Sequence, residues 1–490
     1  MTHRDGMSRR TELALLGAVL ILAAVLRFAG LGSESLWLDE GYSVRVASGA
    51  LREVIAGATG DIHPPLYYLL LHAWIGWFGR SEVAVRSLSA LAGLGIVVLG
   101  WALGRRVAGP SAGLLAALLL SLSGFQLHYA QEARSYALLG MLAALSWWLA
   151  ARTVEEGRAR DRIGMALASI ALVYTHHAGW FVVAAQALTP LAAPRFRGPG
   201  AARAWAGWIA THAAIVLAWL PWLGVVRRQA ATVTSLSWLT PTGPHALLSA
   251  LVDHADSPWL GIVIGALVVV ALLGAGRAYA TSRGATLPAG IVALWLAAPI
   301  LLPFVISWAG QPFFLARITI AADVPLAVLA AAGLVALPGR AQLVAIGLLT
   351  ALAVPPFLAY ETGPHRERWR EAVMELEQDA RPGDLVLFDA GYCLRDIWGY
   401  YARRRDLELR PVPSTADSDA FATELAGAER ARRVWLVRSH DGAAGEEMAR
   451  GLAPGYRRTL ERRYESTTYE LWRPRRYLGV RIERFERPEE

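Results

Sequence analysis

Apolar runs separated by short polar turns recur from Leu13 to about Tyr360, and then the pattern stops. Each run approaches the roughly 20 residues that a helix needs to cross a hydrocarbon core about 30 Å thick. The pattern predicts about eleven spans, with ends good to a few residues. They fall near 12–31, 83–103, 111–127, 133–151, 163–176, 179–193, 205–223, 258–276, 287–308, 318–337 and 341–360. The fifth and sixth are short for a crossing. The segment 32–82 between the first two spans is not a simple turn. Within it, Val46, Leu51, Val54 and Ile55 alternate with Arg45, Arg52 and Glu53. That amphipathic pattern over 44–56 predicts a helix lying in the interface plane. A second interfacial helix is expected from Pro64-Pro65 onward, since proline is tolerated in a first helical turn. The segment 227–257 is moderately polar.

The tail has a different rhythm. Helical periodicity over 366–380 precedes a strand-like 385–389, and a helix-like 394–403 leads into 407–412. A further helical stretch at 421–430 precedes the strand-like 433–438. A closing hairpin is expected from 459–463 and 467–472. Alternation of strand and helix predicts a small α/β domain. The fold class is therefore mostly α: a polytopic membrane domain over 1–360, with an outer loop at 32–82, and an α/β domain over 361–490.

Composition supports this division. Of 490 residues 55% are hydrophobic and 18% charged, against about 25% charged in soluble domains. Mean hydropathy is +0.36. Nineteen tryptophans suit a protein with many membrane interfaces. The net charge of +8 comes from arginine alone, there being no lysine, and the arginines are scattered through loops. That distribution argues against a nucleic-acid partner. The single cysteine, Cys393, excludes an internal disulfide. Met1 to Arg10 and the apolar run after it resemble a signal peptide. The run is too long for one and lacks a nearby small-residue cleavage site, so a retained first span is expected. Arginine crowds the head and the even-numbered turns, which predicts a cytoplasmic N-terminus. With an odd number of spans the tail would then be extracytoplasmic.

The chemistry-bearing residues fall mostly in outward turns. Asp39 and Glu40 follow the first span in Ser35-Leu-Trp-Leu-Asp-Glu-Gly-Tyr-Ser43. Asp61-Ile-His63-Pro-Pro-Leu-Tyr67-Tyr68 comes next. Gln126-Leu-His-Tyr-Ala-Gln131-Glu132-Ala-Arg134-Ser-Tyr136 fills the turn after the third span. His176-His177 ends the fifth span, and Arg317 ends the turn before the tenth. A carboxylate is costly near hydrocarbon, so an acidic pair at that depth is a candidate site. Each piece also has a plainer reading. Asp39 and Glu40 would serve as solvated loop charges, His63 as a helix cap, Glu132 and Arg134 as a mutual pair, and Arg317 as a snorkelling cation. His176-His177 would be half a metal site, but no third ligand is fixed by spacing.

The stretches SLWLDEGYS, HPPLYYLLLHAW with the FG, SE and R that follow, and HYAQEARSYAL together resemble the GT-C membrane glycosyltransferases. They are most similar to the bacterial branch related to protein O-mannosyltransferases and the lipid A aminoarabinose transferase. The resemblance is close over 12–150, looser over the other spans, and returns in RERWREAV and RPGDLVLFDAGY at the start of the tail. One departure is that Arg317 continues as Ile-Thr-Ile-Ala-Ala-Asp323 where the family often has an aromatic-Leu-Leu-Pro run. The resemblance implies a multi-pass protein of the bacterial inner membrane. It implies transfer of a sugar from a polyprenyl-phosphate donor to a hydroxyl on a glycan, lipid or protein acceptor. Asp39 would be the base and Glu40 would position the acceptor or a cation. The substrate-binding candidates are His63, Tyr67, Gln131, Glu132, Arg134, Tyr136 and Arg317. Arg134 and Arg317 would face the phosphate, and Glu132 the donor sugar or a divalent cation, which is left open. The rival expectations are a lipid-linked sugar flippase and an assembly protein whose tail is the working part.

Overall fold

The computed structural model describes residues 7–232, 241–281, 289–362, 365–414, 417–439, 443–467 and 476–488. The chain divides into two compact units. The first comprises Met1–Leu31 and Val46–Glu361, the second Gly32–Arg45 and Thr362–Glu490. The second unit thus takes in a short piece of the predicted outer loop as well as the tail.

The first unit is helical. Its elements are α1 (Arg9–Phe28), α3 (Leu51–Gly60), α4 (Leu66–Phe78), α5 (Glu82–Ala108), α6 (Pro110–Leu122), α7 (Gly124–Ala130), α8 (Tyr136–Glu156), α9 (Ala159–Thr175), α10 (Gly179–Leu188), α11 (Ala201–Thr232), α12 (Pro244–His254), α13 (Pro258–Thr281), α14 (Ala289–Ala309), α15 (Asp323–Ala336) and α16 (Gly339–Thr362). Between α1 and α3, α2 (Leu38–Ala47) carries the acidic pair, most of it in the second unit. Among the described residues, seven helices are long and apolar enough to cross a membrane, or nine if each of two bent pairs is one span. The bent pairs are α6 with α7, at 63°, and α12 with α13, at 83°. Every one of the eleven expected spans has a helix, but α9 and α10 are too short to pass the same test, as their sequence lengths suggested.

Local chemistry sets the ends. Ser8, Ser81 and Ser123 cap α1, α5 and α7 by accepting from Thr11, Ala84 and Gln126 backbone N–H groups. Pro110 opens α6, where its missing N–H costs nothing. Inside the bundle small residues allow close crossings. A Cβ on Gly333 of α15 would collide with the Leu267 carbonyl of α13. The indoles of Trp147 and Trp295 stack at 5.5 Å between α8 and α14.

Two expectations for the outer loop need correction. The amphipathic run 44–56 is not one helix: α2 ends at Ala47 and α3 begins at Leu51. The intervening Ser48-Gly49-Ala50 breaks it, with Gly49 close against the Glu53 side chain that accepts from Ala50 N–H. Asp39 and Glu40, read as loop residues, lie in the first turn of α2, where the helix dipole favours negative charge. The second interfacial helix does begin at the prolines, as α4 with Pro65 at its N-cap.

The second unit is the expected α/β domain. After α17 (Trp369–Asp379) come β1 (Leu385–Phe388), α18 (Gly391–Cys393), a π turn at Leu394–Trp398, α19 (Gly399–Tyr401), β2 (Glu408–Pro411), α20 (Ser418–Ala428), β3 (Arg433–Ser439), α21 (Ala443–Leu452), β4 (Arg457–Thr467) and β5 (Arg476–Glu486). The sheet runs β2-β1-β3-β5-β4. Its β2-β1-β3 half is parallel and its β3-β5-β4 half antiparallel. Leu385, Leu387, Val434, Leu436 and Phe485 pack with Met448 and Leu452 of α21. The closing hairpin exists, but its second strand is β5 rather than 467–472, of which residues 468–472 lie outside the described residues. Alternating Arg481 and Glu483 disguise β5 in sequence. They pair across the hairpin with Glu461 and Arg458.

Candidate functional site

In the second unit the Gly32–Arg45 segment is bound into the tail at every turn. Ser35 Oγ donates to the Glu367 carbonyl at 2.5 Å. Tyr401 Oη accepts from the Leu36 N–H at 2.6 Å. Glu34 accepts from the His365 N–H at 2.6 Å and from Arg366 Nη1 at 3.0 Å. Arg370 donates to the Gly32 and Ser33 carbonyls. Arg45 Nε donates to Asp396 Oδ1 at 2.6 Å. The approach is so close at Gly41 that an added Cβ would lie 2.6 Å from the Asp396 carbonyl oxygen.

The two adjacent acids meet different surroundings. Glu40 is fully buried, accepts from the Trp37 N–H at 3.2 Å and lies 3.6 Å from Arg366 Nε. Asp39 is partly exposed. A third acid, Glu367, sits in the same neighbourhood. Burial pushes its carboxyl up to about 7, against hydrogen bonds from the Trp369 indole and the Leu38 backbone, with the Asp39 charge adding to the rise.

The other seven expected residues belong to the first unit. Asp61, in the turn between α3 and α4, accepts from Tyr68 Oη at 2.6 Å and from His63 Nδ1 at 3.0 Å. Burial alone would raise its pKa, but His63, Arg134 and Tyr68 hold it well below the usual carboxylate range. Gln229 of α11 donates to the Asp61 carbonyl. His63 meets the His176 ring at 5.1 Å, and His176 meets Tyr136 at 5.9 Å. Arg317 lies over the Tyr136 ring at 5.7 Å. Burial, with the charge of His63 beside it, takes His177 down to about 4. His63, Arg134, Tyr136 and Arg317 are thus brought together around Asp61 and the histidine pair.

The remaining three are placed differently. Glu132 Oε2 lies 3.7 Å from His128 Nε2. Gln131 donates from Nε2 to the Leu26 and Ala29 carbonyls and accepts from Tyr360, so it ties α7 to α1 and α16. Tyr67 is buried with its ring edge-on to Tyr68, and Tyr68, not Tyr67, holds Asp61. Among the described residues no group of three His, Cys, Asp or Glu side chains is gathered to hold a metal ion. Asp61 is engaged by Tyr68 and His63, and Glu40 faces a guanidinium.

Several residues that sequence reasoning passed over also bear on the site. Asp323, His254, Gln126 and Thr319 form a buried network, with Asp323 accepting from Gln126 and paired with His254. Asp256 accepts from the Gly124 and Phe125 N–H groups at 2.7 and 2.8 Å. His254, Asp256 and Asp323 form the polar end of an apolar concavity of about 360 Å³, walled by Leu119, Ile264 and Phe357. None of the nine expected residues lines it. An acid inside an apolar run was the available signal for Asp323. Arg366 and Glu367 fall in the RERWREAV stretch that carries the resemblance, but neither they nor Asp396 declare in sequence which residues they meet.

A family model described as dolichyl-phosphate-mannose-protein mannosyltransferase matches residues 62–223. Among curated protein sequences none matches the chain. Among solved structures, ArnT from Cupriavidus metallidurans in the apo state is similar, with a TM-score of 0.60 at 15% identity, covering 96% of this chain and 97% of that one. The same protein bound to undecaprenyl phosphate gives a TM-score of 0.57 at 14% identity, covering 97% and 98%. The oligosaccharyltransferase AglB from Archaeoglobus fulgidus, in complex with an inhibitory peptide and a dolichol-phosphate, gives 0.55 at 13% identity, covering 91% and 72%. The match to these structures concerns the path of the chain, since so few residues are shared. This multi-pass membrane chain has the GT-C glycosyltransferase fold.

Proposed function

We propose that the protein transfers a sugar from a polyprenyl-phosphate donor to an acceptor hydroxyl on the extracytoplasmic side of a bacterial inner membrane. The observation that carries the reading is the cluster of Asp61, His63, Arg134, Tyr136 and Arg317. It gathers two guanidiniums and an acid-oriented imidazole in one largely buried polar region of the bundle. A departing lipid phosphate needs such groups, because negative charge grows on its bridging oxygen as the bond to the sugar breaks. The apolar concavity beside α15 suits part of an isoprenoid tail. Asp323, which follows the 3-10 turn that carries Arg317, is among its lining residues.

In this reading Asp39 takes the proton of the acceptor hydroxyl. The hydroxyl oxygen attacks the anomeric carbon, the bond to the phosphate oxygen breaks, and the polyprenyl phosphate leaves with the electron pair. A single displacement inverts the anomeric configuration. His63, fixed through Nδ1 by Asp61, presents Nε2 toward ligand, while Arg134 and Arg317 stabilise the phosphate. The flippase alternative draws no support from the family match or the fold matches.

The test is transfer by the full chain in nanodiscs, using undecaprenyl-phosphate-linked mannose and then the sugar identified by mass spectrometry of envelope glycans with and without the protein. Asp39→Asn is expected to lower kcat by about 10²–10⁴-fold with KM for the lipid donor little changed. Undiminished transfer removes Asp39 as the base.

A further inference from the structure

Three helices of the first unit run between the Asp61 cluster and a second polar concavity. Helix α8 starts at Tyr136, in the cluster, and ends at Glu156, immediately before Gly157. Helix α9 starts at Ala159 and ends beside His176. Helix α11 starts after Gly200 and reaches Asp61 through Gln229. The 21 residues of α8 put the two places about 30 Å apart, roughly one bilayer thickness.

The concavity measures about 400 Å³, and Thr153, Gly157, Arg162, Arg195, Gly200 and Arg203 are among the residues lining it. No carboxylate lines it. The nearby acids are taken by other arginines: Asp161 by Arg152 at 2.8 Å, Glu156 by Arg158, and Glu155 by Arg106. Gly157 draws two of the three lining guanidiniums together. Arg162 Nη1 donates to its carbonyl at 2.7 Å. Arg195 lies so close over its Cα that any Cβ would collide with the guanidinium. Gly157 adopts φ +68, a conformation that glycine tolerates, so the seat is open. Like charges held this close repel unless an anion lies between them. The Thr153 hydroxyl is buried and has no hydrogen-bond partner in the protein. The dipole at the C-terminus of α8 favours both guanidiniums beside Gly157, but it supplies no partner for the buried Thr153 hydroxyl.

We infer that this concavity binds a phosphate or phosphodiester group, held by Arg162, Arg195 and Arg203 with Thr153 donating a hydrogen bond. Guanidinium forks match phosphate oxygens in pairs. At that end of the bundle the group comes either from an anionic lipid headgroup or from a soluble phosphate compound. The site is separate from the proposed transfer chemistry and stands whether or not that reading holds.

The test uses the full chain purified with native lipid. Native mass spectrometry measures retention of phosphatidylglycerol against phosphatidylcholine, and calorimetry in phosphatidylcholine nanodiscs measures binding of inorganic pyrophosphate. Neutralising Arg162, Arg195 and Arg203 together to Gln is expected to weaken whichever ligand binds by about fivefold per arginine. Loss confined to phosphatidylglycerol identifies a lipid headgroup, and loss of pyrophosphate binding identifies a soluble anion. If the triple Gln variant fails to insert, the triple Lys variant keeps the charge but loses the fork, and severalfold weaker binding is expected. Equal binding by wild type and variants overturns the inference. So does equal loss on neutralising Arg10, Arg340 and Arg430, which lie elsewhere.

Discussion

Arg366→Gln tests whether the tail seats the helix that bears the acids. Arg366 is 6% exposed, with Nη1 3.0 Å from Glu34 and Nε 3.6 Å from Glu40. Removing one partner from a fully buried ion pair costs about 3–5 kcal/mol, and from an exposed one about 0–1 kcal/mol. Here Glu40 is fully buried while Glu34 is 22% exposed, and the Glu40 separation exceeds a direct hydrogen bond. An intermediate cost of about 2–3 kcal/mol follows. That is roughly a 30- to 150-fold rise in the local opening constant.

Hydrogen exchange on the full chain in nanodiscs reads this directly. Amides of 36–45 should exchange faster by that factor, while those of α5 and α8 stay unchanged. Transfer should fall roughly 10²-fold through kcat, since a displacement near 1 Å has that effect on a reacting group. Arg366→Lys should recover part of both. Unchanged exchange across 36–45 refutes the seating argument. Faster exchange with intact transfer leaves the seat in place and removes Asp39 as the base instead.

Two further perturbations address the same unit. The Glu367 carboxyl is raised from its ordinary 4.5 to about 7, so the folded chain holds its proton more tightly than the unfolded one. Its contribution is full below about pH 4.5 and is lost as pH rises to about 7, on the order of 3 kcal/mol in all. Glu367→Gln should therefore melt higher than wild type at pH 8 and equally at about pH 4 by scanning fluorimetry, and a constant difference across that range counts against it. Gly41→Ala puts a methyl 2.6 Å from the Asp396 carbonyl. It should lower stability by about 1–3 kcal/mol, read as faster exchange across 36–45, and unchanged exchange there counts against the close approach.

The spans were legible because the bilayer imposes length and apolarity on each one separately. The β-α alternation of the tail was legible for the same reason: period and punctuation are local. What was hidden depends on distant partners. Ser35 meets Glu367 and Arg45 meets Asp396 across more than three hundred residues, and neither residue type declares a partner. Tyr67 and Tyr68 are equivalent in sequence, and the phase of α4 decides that Tyr68 reaches Asp61. Gln131 carries the family-like motif yet braces α1 and α16.

The adjacent acids of α2 show how burial divides labour that sequence leaves undivided. Both carboxylates gain from the helix N-terminus, so neither the dipole nor the spacing distinguishes them. Glu40 is turned inward, fully buried, toward a guanidinium. Removing either partner of a buried carboxylate and guanidinium is costly, because the other charge is left unpaired. That contact suits holding the helix, alongside the positioning of an acceptor or a cation expected of Glu40. Asp39 remains partly exposed, which a base needs if an incoming hydroxyl is to reach it. Under the proposed function the tail is then bound to the chemistry: residues that bury Glu40 hold the turn that bears Asp39, and a chain lacking them is expected to lose the proposed base without losing any of its spans.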